Sequence, residues 1–206
     1  MKPTADREAD VLQRFRSPFR KGEVEDLRGV AFDTAIDLAG ARLPNLDLTG
    51  AVFNAAVSFR GAVFDGLAWF IGVTFNAGVD FSGATFTSDA RFGQARFERS
   101  ATFSDAEFRG VAQFDKARFR DVAYLDHMVC FGNLSLDSTR FDAAASLQDT
   151  ECFGGLWANR ASFATRPDLR GMEVHGRTWL VGMSLPDAAA AGHPATHLVS
   201  YGYRWE

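Results

Sequence analysis

Between Phe53 and Phe119, phenylalanine returns with a beat of six, five, six, five residues. The positions are Phe53, Phe59, Phe64, Phe70, Phe75, Phe81, Phe86, Phe92, Phe97, Phe103, Phe108, Phe114 and Phe119. Adding eleven to any of them lands on another, until the phenylalanines give out and other apolar residues take their place. An amphipathic helix requires a period of 3.6, which a mean spacing of about 5.5 does not supply. Self-similarity at a short fixed period is instead the mark of a solenoid, in which each repeat packs only on its neighbours.

The unit has an internal grammar. With the large residue called i, position i−2 is alanine at Ala51, Ala62, Ala68, Ala84, Ala90, Ala95, Ala101, Ala106, Ala112, Ala117 and Ala123. Positions i−2 and i inward with i−1 outward is strand-like alternation, yet each run is only two or three residues long before a corner. The beat already begins at Leu27 and passes through Phe32, Leu38, Leu43 and Leu48. Small alanines leave room for the rings, so a large polar residue at Ala95 or Ala106 is expected to break a coil.

Units such as GAVFD, GATFT, QARFE, DAEFR and KARFR resemble the pentapeptide-repeat family in its phenylalanine-rich form, over about residues 25–185. The resemblance implies an all-β fold, a right-handed quadrilateral parallel β-helix. Because every second unit here has six residues, four units make a coil of 22, and about seven coils fit between residues 32 and 184, the first one residue short. The sixth residue is expected as a bulge at alternate corners, and the glycines are read as corner residues at positive φ. Residues 1–24 read as an N-terminal cap, helical from Thr4 to Arg16 with Val11, Leu12 and Phe15 on one side. Residues 186–206 leave the repeat as a C-terminal cap or tail, with one or two helical turns expected from Pro186 to Gly192.

Composition sets outer limits on function. The chain has 206 residues and a formal charge of −4, with 22 Lys and Arg against 26 Asp and Glu. No polybasic grip on nucleic acid is expected from that balance. No apolar run is long enough to span a bilayer, and the charged start MKPTADREAD does not read as a secretory signal. A cytoplasmic protein with reduced thiols is the expectation. Cys130 and Cys152, one coil apart, fall in one column as core residues; a shift of one residue would instead turn Phe131 and Phe153 inward.

No catalytic residues, metal site or cofactor are expected. His193 and His197 stand four apart without the glutamate of a zinc-protease motif, and Pro194 interrupts any helix there. His127 and His175 fall alone at corners. Function therefore rests on the outer surface, where columns become vertical stripes. Two adjacent faces are acidic, carrying Asp80, Asp105, Glu107, Asp126, Asp149, Glu151, Asp168 and Glu173. A ladder of Arg96, Arg118 and Arg140 runs along one of the other two, which are slightly basic.

Some members of the family that this chain resembles inhibit DNA gyrase. The resemblance thus implies two functions: a non-enzymatic scaffold that binds a protein partner, or a DNA mimic acting on a type II topoisomerase and giving drug or toxin resistance. In the second, an acidic rod competes for a basic DNA-binding saddle. Phe131, Phe153, Trp157 and Trp179 form an outward apolar strip on the C-terminal coils, larger than scattered exposure explains. Either the tail through Tyr201, Tyr203 and Trp205 covers it, or a second copy does, giving a homodimer through the C-terminal end.

Overall fold

The computed structural model describes residues 13–186 and 198–205. Two-residue strands follow one another around four sides and stack into four parallel sheets of nine, seven, six and eight strands. The register keeps the expected coil length wherever the Phe beat runs: Phe53 pairs with Phe75, and Phe75 with Phe97. In the first turn it is one residue shorter, with Phe32 opposite Phe53 and Leu43 opposite Phe64. The missing residue falls at the corner of Pro44 and Asn45, because Leu46 already pairs with Ala68 at the full interval. Nine successive strands in one sheet, from Glu25–Asp26 to Arg204–Trp205, mark eight turns rather than seven.

Residues i and i−2 line the interior. Phe59 through Phe114 are fully buried, and so are the alanines two places before them. Rings in one sheet stack face to face, as Phe70, Phe92 and Phe114 do at 4.8 and 4.9 Å. Rings of different sheets meet edge to face, as Phe70 and Phe81 do at 5.5 Å and 87°. Both arrangements suit the aromatic quadrupole, which disfavours a perfect sandwich.

The two unit lengths turn their corners differently. A five-residue unit closes a tight turn, for example with Ala106 N donating to Phe103 O at 3.0 Å, and its third residue sits at positive φ. Two columns of such residues run along the rod. They are glycine toward both ends but Gln94, Asp105, Lys116, His127, Ser138, Asp149 and Arg160 in the middle. At one six-residue corner the expectation of positive φ fails, since Gly132, Gly154, Gly176 and Gly202 are not in that conformation. A Cβ on any of them would overlap the backbone carbonyl of the glycine one turn below. Glycine stands there for close backbone approach, as Gly176 N donating to Gly154 O at 2.9 Å confirms.

At the N-terminal end residues 13–15 are helical and Phe15 is fully buried. Its ring lies 5.7 Å from Phe32 and 6.5 Å from Phe59. Arg14 ties this plug to the first strand through Glu25, at 3.0 Å, and the carbonyl of Asp26, at 2.7 Å. The rest of the expected helix, with Val11 and Leu12, lies outside the described residues. So does the stretch from Asp187 to His197 that includes the other expected helical turns, His193 and His197.

The C-terminal segment returns to the sheets. Val199–Ser200 pairs with Glu173–Val174, and Arg204–Trp205 with Thr178–Trp179, both at a longer interval than the turns before them. The extra residues between Ser184 and Val199 hide this last turn from a search at the period of the Phe beat.

Candidate docking faces and the Glu–Glu–His cluster

Beyond Phe119 the interior changes. The column of Phe119 continues through Phe141 and Phe163, but the other three columns pass to Leu125 and Leu147, Cys130 and Cys152, and Leu136 and Ala158. Position i−2 compensates in part: Ala106 is followed by Met128, and Ala112 by Leu134 and Leu156. Thr139 and Thr150 also occupy i−2, and each buried hydroxyl donates to a carbonyl, of Phe114 at 2.7 Å and of Leu125 at 2.5 Å. Total volume is roughly kept while shape changes, the kind of exchange a core tolerates. Cys130 and Cys152 are paired in register and fully buried, and they are free thiols. A hydrogen bond with Cys152 and then burial push the Cys130 thiol well above its ordinary range, so it is no nucleophile.

With the cysteines inside, Phe131 and Phe153 point outward, half exposed, and the one-residue shift does not occur. They stack at 5.4 Å, and the ladder continues through His175 at 5.0 Å and Tyr201 at 5.0 Å. Around the next corner a second ladder runs from Trp157 to Trp179 at 5.6 Å and on to Trp205 at 4.8 Å. The crowded glycine column separates the two. Tyr201 and Trp205 therefore extend the ladders at their end instead of covering them, leaving Phe131, Phe153 and Trp157 exposed. Trp69 shares the tryptophan column but lies below Arg91, Gln113 and Ser135, with the Arg91 guanidinium 5.9 Å from its ring.

The eight acidic residues fall on two adjoining sheets and the corner between them, but they make no continuous stripe. Asp80 and Asp168 share a column with Thr102, Tyr124 and Ser146 between them. Glu107 is separated from Glu151 by Val129. Asp105 and Asp149 flank His127 at 3.8 and 3.6 Å. Asp126 accepts from Gln148 N at 3.0 Å and Asp80 from Ser82 N at 2.8 Å. Among the eight, Glu107 pairs with Arg109 at 2.5 Å and Asp168 with Arg170 at 2.6 Å; the Asp168 carboxylate raises the Arg170 pKa. On the seven-stranded sheet the arginine ladder is partly neutralised, with Arg118 2.5 Å and Arg140 3.8 Å from Asp142.

Of these eight, only Glu151 and Glu173 face each other directly on neighbouring strands. His175, expected to stand alone, lies against both: its Nε2 is 2.9 Å from Glu151 Oε1 and 3.9 Å from Glu173 Oε2. Linear reading missed this because Glu151 is more than a full turn away along the chain and reaches the imidazole through the stacking of turns.

The family model for pentapeptide repeats matches over residues 38–85 and 59–107. Residues 38–107 carry repeats of the pentapeptide-repeat family. It is similar to the crystal structure of HetL, a pentapeptide repeat protein involved in heterocyst differentiation regulation from the cyanobacterium Nostoc sp. strain PCC 7120. Identity is 16%, the match covers 95% of this chain and 93% of that one, and the TM-score is 0.27. No curated protein matches the sequence. No helix among the described residues is long and apolar enough to cross a membrane.

Proposed function

We propose that this pentapeptide-repeat protein is a non-enzymatic cytoplasmic scaffold that docks a protein partner along its C-terminal aromatic edge. The observation that carries this reading is the pair of outward ladders, Phe131–Phe153–His175–Tyr201 and Trp157–Trp179–Trp205, on turns whose interior is built from smaller residues. Exposed aromatic rings carry an apolar cost in water that a partner relieves, and aromatic residues dominate interface energetics. A second copy of the chain is one such partner, joined through the C-terminal end.

The second reading, mimicry of DNA toward a type II topoisomerase, draws on Asp80, Asp105, Asp126, Asp149, Glu151 and Glu173, none of which has an arginine or lysine within ion-pair distance in the described residues. Against it stands the interruption of every acidic column by residues that are not acidic. Two assays separate the readings. The scaffold predicts capture of a defined partner, or self-association, that Phe131→Ser with Phe153→Ser abolishes, with gyrase supercoiling unaffected at stoichiometric protein. The mimic predicts inhibition or protection of gyrase that survives those changes and is lost on reversing Asp105, Glu107 and Asp126.

A further inference from the structure

We propose that Glu151, Glu173 and His175 form a binding site for one divalent transition-metal ion of the zinc class. Their ligand atoms all lie within 4.8 Å of one another. Around a tetrahedral ion with metal–ligand bonds of about 2.0–2.1 Å, neighbouring donors sit about 3.3 Å apart. The His175 Nε2 distances to the two carboxylates, 2.9 and 3.9 Å, bracket that separation. Closing the set around an ion requires only side-chain adjustment at groups already open to solvent.

Two further features favour an ion here. Glu151 and Glu173 are direct cross-strand partners, an arrangement that is repulsive when both are charged. Among the described residues, no arginine or lysine is within ion-pair distance of either one. A cation between them removes the repulsion. The imidazole is also pre-oriented, since its ring is stacked between Phe153 and Tyr201 at 5.0 Å on each face, within 15° of parallel. Tyr201 Oη donates to Glu173 Oε2 at 3.5 Å, placing an outer partner on a ligand carboxylate.

The donor set selects the metal. One imidazole and two carboxylates suit zinc, cobalt, nickel or manganese, whereas calcium requires six to eight oxygens and magnesium keeps most of its water. Water completes the coordination at this half-exposed position. The ion would bridge the strands Glu151–Cys152 and Glu173–Val174 and fix the imidazole on which Tyr201 stacks. It thereby fastens the returning C-terminal segment to the rod. This inference stands apart from the docking of a partner and is tested without one.

The test is titration of zinc, and of cobalt for its visible spectrum, into the chelator-treated full chain carrying no affinity tag, near neutral pH. One saturable site per chain is expected, with a raised melting temperature. His175→Gln and Glu151→Gln each abolish it, and Tyr201→Phe weakens it about tenfold. His127→Gln, which alters the other histidine between carboxylates, leaves it intact, as does the double change His193→Gln and His197→Gln. Absence of a saturable site in the wild type overturns the proposal. Retention in folded Glu151→Gln does the same, as does loss only in the His193 and His197 double variant.

Discussion

From Phe53 to Phe119 the rod keeps its phenylalanine rings inside, stacked along each sheet and edge to face between sheets. From Leu125 onward three of the four inner columns pass to leucine, cysteine and alanine, while Phe131, Phe153, Trp157, Trp179, Tyr201, Tyr203 and Trp205 lie outside. The backbone repeat keeps one length in both regions, from Phe53 opposite Phe75 to Trp157 opposite Trp179. Burial of rings therefore is not what sets the period; hydrogen-bonded turns and the inward alternation do that, and the core chemistry is free to change beneath them. The exchange leaves a small apolar cavity of about 20 Å³ among Leu136, Leu147, Leu156, Met172 and Leu180, under Leu198. What the C-terminal turns give up in ring packing they gain as exposed aromatic surface.

The contrast is sharpest at two phenylalanines. Phe92 is fully buried and touches six other rings, the nearest at 4.8 and 4.9 Å. Phe92→Ala is expected to cost about 3–5 kcal/mol, the range for a deleted core ring. Phe153 is 45% exposed and, among the described residues, stacks only on Phe131 and His175, so Phe153→Ala is expected to cost less than about 1 kcal/mol. Chemical denaturation of the two variants measures both. Equal losses would mean that the outer ladder is a structural brace and would remove the argument for docking.

Glycines give the next largest contrast. A Cβ at Gly154 would overlap the carbonyl of Gly132, backbone against backbone, so Gly154→Ala is expected to cost about 3 kcal/mol, the upper end of ordinary overpacking. Gly72, at φ +62 with open space where a Cβ would stand, is limited only by its conformation, and Gly72→Ala is expected to cost up to about 1.5 kcal/mol once the unfolded-state entropy of glycine is counted. If Gly72→Ala proves the worse of the two, the close corner is not what tightens the C-terminal turns.

Much of this was legible in the sequence because the inward residues repeat. The Phe beat predicts which residues pair, and it puts Cys130 opposite Cys152 and Arg96 in line with Arg118 and Arg140. Three features escaped for physical reasons. The last turn is longer than the others, so Tyr201 and Trp205 fall off the period although they stack on its columns. Gly154 and Gly72 look alike in a one-letter code, yet one answers to a neighbouring backbone and the other to its own φ. His175 was read among its chain neighbours, whereas its chemistry comes from Glu151 on the turn below and Glu173 beside it. The candidate site was therefore less legible than the fold, since side chains of different turns make it and nothing in the repeat demands them.

The smallest expected effect concerns the corners in the middle of the rod, where L residues hold a left-handed conformation. Lys116 sits at φ 59 and Arg160 at φ 55, in the same column as Gly72 and Gly182. A side chain there costs about 1–2 kcal/mol relative to glycine, while glycine adds roughly 0.5–1 kcal/mol of unfolded-state entropy. The difference leaves Lys116→Gly stabilising by up to about 1.5 kcal/mol, read as a modest rise in melting temperature. Asp149, at φ 51 in the other column, has compensation that Lys116 lacks, because it accepts from Gln148 Nε2 at 3.0 Å and faces His127 at 3.6 Å. Asp149→Gly is therefore expected to give less than Lys116→Gly, or nothing. If the two gains are equal, the surface contacts of the acidic corner contribute no stability.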